Sequence, residues 1–346
     1  MKTALFDYEL PRELIAQEPR PRGSSRLLVL DRGSGGVAHR LFSDLPEILR
    51  PGDLLVRNDV RVRPARLYGR DTLDRIVEIF LLKPTDPERK RWLALAKPGR
   101  RAKAGARIRF EPAFEASVLA VDEESRRTVE FDAPLTDAAL ERLGHVPLPP
   151  YIRRSPEAPD RAADREAYQT VYAREPLAVA APTAGLHFTE DTFAKLRGRE
   201  VEIADLTLAV GAGTFKPVTV EDTSEHCLET EEVHLPAETV ERIIRARAEK
   251  RRVVAVGTTV TRALEAWALA RSPASADARF ETDLFLTPGF EFRVVDAVLT
   301  NFHLPRSTLL MLVSAFAGRE RVLAAYGEAI RERYLFYSYG DAMLVG

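Results

Sequence analysis

Val253-Val-Ala-Val-Gly-Thr-Thr-Val-Thr-Arg262 reads as a buried strand, a Gly-Thr-Thr turn and the start of a helix that runs to Ala270. Strand followed by helix continues on either side. Val179–Ala181 and 201–210 are expected strands, with 190–197 and 237–249 as helices, the latter carrying apolar Val240, Ile243 and Ile244. Further on, 284–286 and 294–299 are expected strands, and 308–317 and 319–334 expected helices. Residues 335–338 and 343–345 are expected to pair around Gly340-Asp341. Towards the N-terminus, 26–31 and 53–56 read as strands and 41–49 as a short amphipathic helix. This alternation is that of an α/β sheet protein.

Between these two α/β pieces the texture changes. Short alternating strands separated by turns are expected at 65–68, 76–82, 92–96, 107–110, 114–121 and 128–131. That spacing fits a small β-barrel or sandwich. The expected fold is therefore α/β: a larger mixed α/β domain, residues 1–62 and 148–346, with an inserted small β-barrel domain, residues 63–147.

At 346 residues, with 45% apolar and 30% charged residues, the chain can build a substantial core. No apolar run approaches the ~20 residues that span a bilayer. Asp7, Glu9, Arg12 and Glu13 stand where an export signal would be apolar, so a cytoplasmic location is expected. Cys227 is the only cysteine, which excludes an intramolecular disulfide and any cysteine-based zinc or iron–sulfur site. With no long exposed apolar heptad, a monomer is expected. The net charge is −1, but the charge is unevenly spread. Lys97, Arg100, Arg101, Lys103, Arg107 and Arg109 form one basic stretch, and Arg57, Arg61, Arg63, Arg66 and Arg70 another. Such stretches can meet phosphates, or can be solvated strand edges that block aggregation.

Four loops carry the candidate chemistry. Asp296-Ala-Val-Leu-Thr-Asn-Phe-His-Leu-Pro-Arg-Ser307 places Asp296, Asn301, His303 and Arg306 between a strand and an apolar helix, with Ser307 as its cap. Pro182-Thr-Ala-Gly-Leu-His-Phe-Thr189 sets Thr183, Gly185 and His187 before a helix capped by Thr189. His187 has a reference pKa suited to acid or base work. Gly211-Ala-Gly-Thr214 is half a dinucleotide fingerprint. Lys216 stands where the third glycine belongs, and Pro217 follows, so a Rossmann nicotinamide site is rejected. At Thr258 and Thr259 the first helical turn can bind a carboxylate, phosphate or ribose, or be merely capped. His226, Glu229, Glu231, Glu232 and His234 resemble a metal cluster by composition but lack H-E-x-x-H spacing, and no metal is expected.

Taken in order, these motifs resemble the S-adenosylmethionine:tRNA ribosyltransferase-isomerase family of queuosine biosynthesis. The resemblance runs from Asp7-Tyr-Glu-Leu-Pro-Arg12 through Gly52-Asp-Leu-Leu-Val-Arg-Asn-Asp-Val-Arg61, Tyr168-Gln-Thr-Val-Tyr172, Ala180-Ala-Pro-Thr-Ala-Gly-Leu-His-Phe188 and Gly257-Thr-Thr259 to Asn301-Phe-His-Leu-Pro305 and Ser338-Tyr-Gly-Asp-Ala-Met343. It departs where the family commonly has histidine and this chain has Ala209 and Glu229, an aromatic at Arg57, and arginine at Leu335. The resemblance implies transfer and isomerisation of the ribosyl unit of S-adenosylmethionine onto 7-aminomethyl-7-deazaguanine at the wobble position of a tRNA anticodon loop. It implies S-adenosylmethionine as co-substrate and no tightly bound cofactor. His303, Asp296 and His187 become the candidates for acid/base work. Asn301 and Asp341 would hold ribose hydroxyls. Thr183, Gly185, Gly211, Gly213 and Thr214 would let ligands approach the backbone. Thr258 and Thr259 would take a carboxylate or phosphate. Asn58, Asp59 and Arg61 would meet the modified base or its phosphates, and Arg306 would contact substrate. The competing expectations are an S-adenosylmethionine-dependent RNA methyltransferase, for which no early glycine-rich motif appears, and a non-catalytic RNA-binding protein.

Overall fold

A computed structural model describes residues 1–111, 114–155, 160–211, 218–270 and 276–346. The first strands and helix are β1 (Arg26–Leu30), β2 (Val37–Leu41), α1 (Leu45–Ile48), β3 (Leu54–Asn58) and β4 (Val60–Val62). Six strands follow: β5 (Arg66–Arg70), β6 (Ile76–Pro84), β7 (Arg91–Lys97), β8 (Arg107–Phe110), β9 (Phe114–Val121) and β10 (Arg127–Phe131). Then come α2 (Asp137–Leu143), α3 (Ala162–Ala167), β11 (Glu175–Ala178), α4 (Glu190–Gly198), β12 (Glu202–Leu208), β13 (Glu231–Leu235) and α5 (Ala237–Ala248). The chain closes with β14 (Val253–Val256), α6 (Thr258–Leu269), β15 (Ala278–Thr282), β16 (Ala297–Asn301), α7 (Thr308–Ala317), α8 (Arg319–Arg331) and β17 (Ala342–Val345).

Two compact units result. One comprises Met1–Arg61, Gln169–Glu175 and Ala181–Gly346; the other Val62–Tyr168 and Pro176–Ala180. The second unit is a closed barrel in the order β10-β7-β6-β5-β8-β9, so the expected α/β fold with a small β-barrel is borne out. Every predicted barrel strand has its counterpart. The unit extends past the expected boundary at 147, because residues to Tyr168 pack with the barrel. Inward-facing Leu67, Val77, Ile79, Trp92, Ile108, Val118 and Val129 fill its core. Gly69 is required there: a Cβ would lie 2.5 Å from Ile108 Cγ2 and 2.8 Å from the Arg109 carbonyl.

The larger unit carries a nine-stranded sheet in the order β15-β13-β12-β3-β14-β16-β17-β1-β2. β12, β3, β14 and β16 run parallel, whereas β17 is antiparallel to β16 and parallel to β1. β14 is apolar throughout, and β3 and β16 are apolar up to their polar carboxyl ends, because both faces of the sheet are covered. On one face Leu55, Val254, Val256, Ala297 and Leu299 join Phe42, Leu45, Phe188, Phe193 and Leu196 in a buried cluster. Removing any one large member, such as Phe193, would cost about 3–5 kcal/mol. Ser307 caps α7 through the Leu310 N–H (3.2 Å), and Thr189 caps α4 through the Thr192 N–H (3.0 Å), as their sequence positions predict.

Several sequence expectations differ from the structure. β17 pairs with β16 and β1 instead of with residues 335–338, which form a turn. The turn is held by Asp341, whose Oδ2 accepts from the Leu335 N–H. β2, β13 and β15 were not anticipated; β13 buries only alternate residues, β15 only its last and β2 none, and all three lie at or near the sheet margins, so their apolar signal is weak. Residues 284–286 are not a strand, and β11 lies before the apolar run expected at 179–181.

Candidate active site

The carboxyl ends of β12, β3, β14 and β16 share one edge of the sheet, where open parallel sheets hold ligands. The antiparallel strand β17 brings its first residues to the same edge, with Asn301 opposite Ala342, and β1 begins beside it, with Leu27 opposite Ala342. The turn Thr183–His187 also reaches this edge, through Asn301 and through Ala184, whose Cβ is 3.7 Å from the Cβ position of Gly257.

His187 is buried between Ser25 and Asn301. Its Nδ1 lies 2.8 Å from Ser25 Oγ and its Nε2 3.1 Å from Asn301 Nδ2, with the Phe42 ring at 5.1 Å. Burial pushes the imidazole down to about 4, so it is neutral near pH 7. Asn301 Nδ2 also donates to the Tyr337 carbonyl at 3.0 Å. Asn301 Oδ1 is buried and takes no hydrogen bond from any described residue.

His303 is only two residues away but lies elsewhere. Thr300 and Asn301 project to opposite faces of the strand. The His303 ring bonds Thr300 (Nε2 to Oγ1, 2.8 Å), which puts it on the face opposite His187. The His303 N–H donates to the Tyr326 hydroxyl at 3.1 Å, and its carbonyl accepts from the Tyr8 hydroxyl. Burial among these groups pushes His303 down to about 3.

Asp296 does not join the site. It stands just before the amino end of β16, at the edge opposite Asn301. Both its oxygens lie 3.0 Å from Arg247 Nη1, and Oδ2 accepts from the Val253 N–H at 2.9 Å. The sequence brought Asp296 and His303 together because they are near in number, but the intervening strand, at ~3.3 Å per residue, separates them. Arg306 likewise turns away and pairs with Asp7.

Asn58 and Asp341 are at the edge but fully used by the scaffold. Asn58 Nδ2 donates to the Leu208 carbonyl, and Oδ1 accepts from the N–H groups of Val60 and Leu208. Asp341 accepts from the Arg26 N–H (2.9 Å), Arg20 (3.0 Å) and the Leu335 N–H (2.8 Å). Neither side chain is a ready ribose ligand. Asp59 is different. Its Oδ1 accepts from the Thr207 hydroxyl at 2.7 Å, and Oδ2 lies 3.9 Å from Arg174. Burial and neighbouring Asp205 push its carboxyl up, against the Thr207 bond. Arg61 is exposed.

α6 begins at Gly257, with φ at 96°, and no side chain caps it. Thr258 and Thr259 are its first two residues and are buried, so neither is the cap. The first-turn N–H groups have no intrahelical acceptor and face the edge. Gly211 donates its N–H to Glu231 Oε1 at 3.3 Å, and Glu231 pairs with Arg262 at 2.8 Å. Gly213 and Thr214 lie outside the described residues. Thr183 is half-buried and Gly185 buried.

Sequence reading missed Ser25, Thr170, Tyr172, Asp205 and Thr207. Asp205 and Thr207 had a usable signal: polar residues two apart, alternating with apolar ones, towards the carboxyl end of a buried strand. Asp205 accepts from Arg57 Nε at 2.6 Å, and the Arg57 guanidinium lies over the rings of Tyr172 (4.1 Å) and Phe193 (4.4 Å). A planar guanidinium thus stacks where the resemblance called for an aromatic ring. The metal-like cluster is dispersed: His234 pairs with Asp277 and Glu231 with Arg262. Among the described residues no group of three or more His, Cys, Asp or Glu is placed to hold a metal, and no helix is long and apolar enough to cross a membrane.

Polar groups gathered at the carboxyl ends of parallel strands define an α/β protein with a polar edge of the kind at which open parallel sheets hold ligands. The chain belongs to the queuosine biosynthesis protein family, matching it over residues 3–345. It is 48% identical over 346 residues to the S-adenosylmethionine:tRNA ribosyltransferase-isomerase of Thermosipho africanus, covering 100% of both chains. It is 51% identical over 353 residues to the protein of that name from Acaryochloris marina, covering 98% of this chain and 92% of the other. A crystal structure of S-adenosylmethionine tRNA ribosyltransferase from Thermotoga maritima matches with a TM-score of 0.55 and 39% identity, covering 99% of this chain and 100% of that one. The family resemblance read from the motifs is borne out.

Proposed function

We propose that this protein is an S-adenosylmethionine:tRNA ribosyltransferase-isomerase. It transfers and isomerises the ribosyl moiety of S-adenosylmethionine onto 7-aminomethyl-7-deazaguanine at the tRNA wobble position, and adenine and methionine leave. The observation that carries this reading is the end-to-end identity of about half its residues with proteins of that name. The edge chemistry supports it. Asn301 meets the donor's sugar, and the uncapped start of α6 takes the methionine carboxylate, an anion suited to free N–H groups. Asp59 and Arg61 meet the acceptor base and its phosphates. The positive sulfonium of the donor acidifies adjacent C–H bonds, so one placed base starts the reaction. With Asp296 at the far edge, His187 and His303 remain the candidates for proton transfer. Lys97, Arg100 and Lys103, exposed on the barrel unit, contact the tRNA backbone. The wobble base must unstack to react.

The test is incubation with S-adenosylmethionine and tRNA carrying the modified base. Release of adenine and methionine is expected. S-adenosylhomocysteine as product would establish methyl transfer instead, and no donor consumption would leave an RNA-binding protein. If His303→Ala keeps most of its turnover at saturating donor and tRNA, His303 is not the base; a loss confined to KM makes it a ligand-holding residue.

A further inference from the structure

The hydrogen bonds around Asn301 leave no choice of direction. The Tyr337 carbonyl can only accept, so the Asn301 side-chain atom 3.0 Å from it is the amide nitrogen. That same nitrogen donates to His187 Nε2 at 3.1 Å, so Nε2 carries a lone pair and no proton. The ring proton of the neutral imidazole is then on Nδ1, donating to Ser25 Oγ at 2.8 Å. Arg22 reinforces neutrality. Its guanidinium sits beside the ring, donating to the Leu186 carbonyl at 3.0 Å and the Gln169 carbonyl at 2.6 Å. Turning the amide over would set its oxygen against the Tyr337 carbonyl oxygen. Asn301 Oδ1 is therefore fixed in direction, in a side chain only 2% exposed, with no donor among the described residues. Native structures rarely leave a buried acceptor unpaired, which marks this oxygen as a group awaiting a ligand.

We propose that Asn301 offers its carbonyl oxygen, and no donor, to a hydroxyl of the donor's sugar, and that His187 and Ser25 are positioning residues that set the amide's direction. This rests on the functional reading above, in which Asn301 meets that sugar. It removes His187 from the acid/base candidates.

Two substitutions separate positioning from proton transfer. Glutamine places its amide where Nε2 lies and can accept from Asn301; asparagine places its amide where Nδ1 lies and cannot. His187→Gln is expected to keep the KM for S-adenosylmethionine within about threefold. His187→Asn is expected to raise it about tenfold or more, with kcat changing far less. If both variants instead lower kcat by about 10²–10⁴, His187 moves a proton and the proposal is overturned. A nitrogen-15 histidine spectrum of the wild-type protein, with the His187 signals identified by their loss in His187→Gln, reads the tautomer without any activity. An unprotonated Nε2 at neutral pH supports the proposal, and a protonated one overturns it. Failure of the wild-type protein to release adenine and methionine would overturn the functional reading itself, a result separate from both of these.

Discussion

Gly185→Ala tests whether the turn Thr183–His187 is as tightly seated as its contacts indicate. A Cβ at Gly185 would lie 2.1 Å from Tyr172 Oη, 2.8 Å from Thr170 Cγ2 and 3.1 Å from Tyr172 Cζ. Ordinary contact needs ~3.5 Å or more, so something must move by more than an ångström. The Tyr172 ring is not easily moved, being packed edge-on against Phe193 at 5.5 Å and covered by the Arg57 guanidinium at 4.1 Å. Overpacking of this kind destabilises by about 1–3 kcal/mol. His187 lies two residues further along the same turn, so a shift also lengthens its 3.1 Å contact with Asn301. Thermal unfolding should show a loss of roughly 2–4 °C per kcal/mol, and the KM for S-adenosylmethionine should rise. The control is Tyr172→Phe. Its hydroxyl is buried and has no hydrogen-bond partner among the described residues, so removing it should change stability by less than about 1 kcal/mol. In the double variant the 2.1 Å contact is gone, and the coupling between the two changes should be about 1–2 kcal/mol in the direction of rescue. Wild-type stability in Gly185→Ala, or simple additivity in the double variant, would refute the argument.

Both buried imidazoles have folded pKa values below the reference of 6.5, at about 4 for His187 and about 3 for His303. Below pH 6.5 the unfolded chain takes protons that the folded one refuses, so stability falls as pH drops through 6.5 towards those values. The loss between pH 7 and 5 should be about 2 kcal/mol per imidazole, and an unchanged urea midpoint across that range would contradict it. Asp296→Ala should lower the melting temperature modestly through loss of the Arg247 pair and the Val253 N–H bond, yet keep kcat within about twofold; a hundredfold drop in kcat would return Asp296 to the catalytic candidates. Replacing Lys97, Arg100 and Lys103 together by alanine should weaken tRNA binding and flatten its logarithmic salt dependence by about 0.7–0.9 for each phosphate no longer neutralised, and an unaltered slope would take the barrel out of the tRNA interface.

The sequence was most readable where local pattern and final structure coincide. Barrel strands alternate and end in turns, so they could be placed within a few residues. α7 and α4 announced their caps at Ser307 and Thr189, and Val253–Val256 announced a buried strand. What could not be read was pairing and direction. Ala342–Val345 is adjacent in sequence to residues 335–338 but pairs with Ala297–Asn301 and Arg26–Leu30, a choice made by the tertiary sheet. Asp296 and His303 are seven positions apart, and the strand expected at 294–299 lies instead at Ala297–Asn301, so Asp296 falls before its amino end and the whole strand stands between the two. Asn58 and Asp341 looked available because a motif shows residue types without showing the backbone groups that consume them. Ser25 opens the family-like segment Ser25-Arg-Leu-Leu-Val-Leu30, yet its role was not legible there: a serine before a strand has no chemical pattern, and only the fold brings it to His187.

Sorting the edge by what each group already holds alters which stretch governs the site. Asn58 and Asp341 spend their side chains on backbone, Arg57 and Asp205 on each other, and His303 on Thr300 across the sheet. Among the described residues, the buried polar atoms left without partners include Asn301 Oδ1, Thr170 Oγ1 and Tyr172 Oη. Each lies against the turn Thr183–His187: Asn301 through His187, and Thr170 and Tyr172 through Gly185. Ala184 of the same turn lies beside Gly257, where α6 begins uncapped. A single five-residue turn therefore sets the position of three polar groups unpaired among the described residues and lies beside the start of a helix that no described side chain caps. Chemistry-bearing residues are denser between Asp296 and Ser307, but that segment contributes only Asn301 to this arrangement. The turn, by contrast, contributes little chemistry of its own and fixes the geometry of the rest. A displacement there should disturb donor binding more than any single substitution at Asp296 or Arg306.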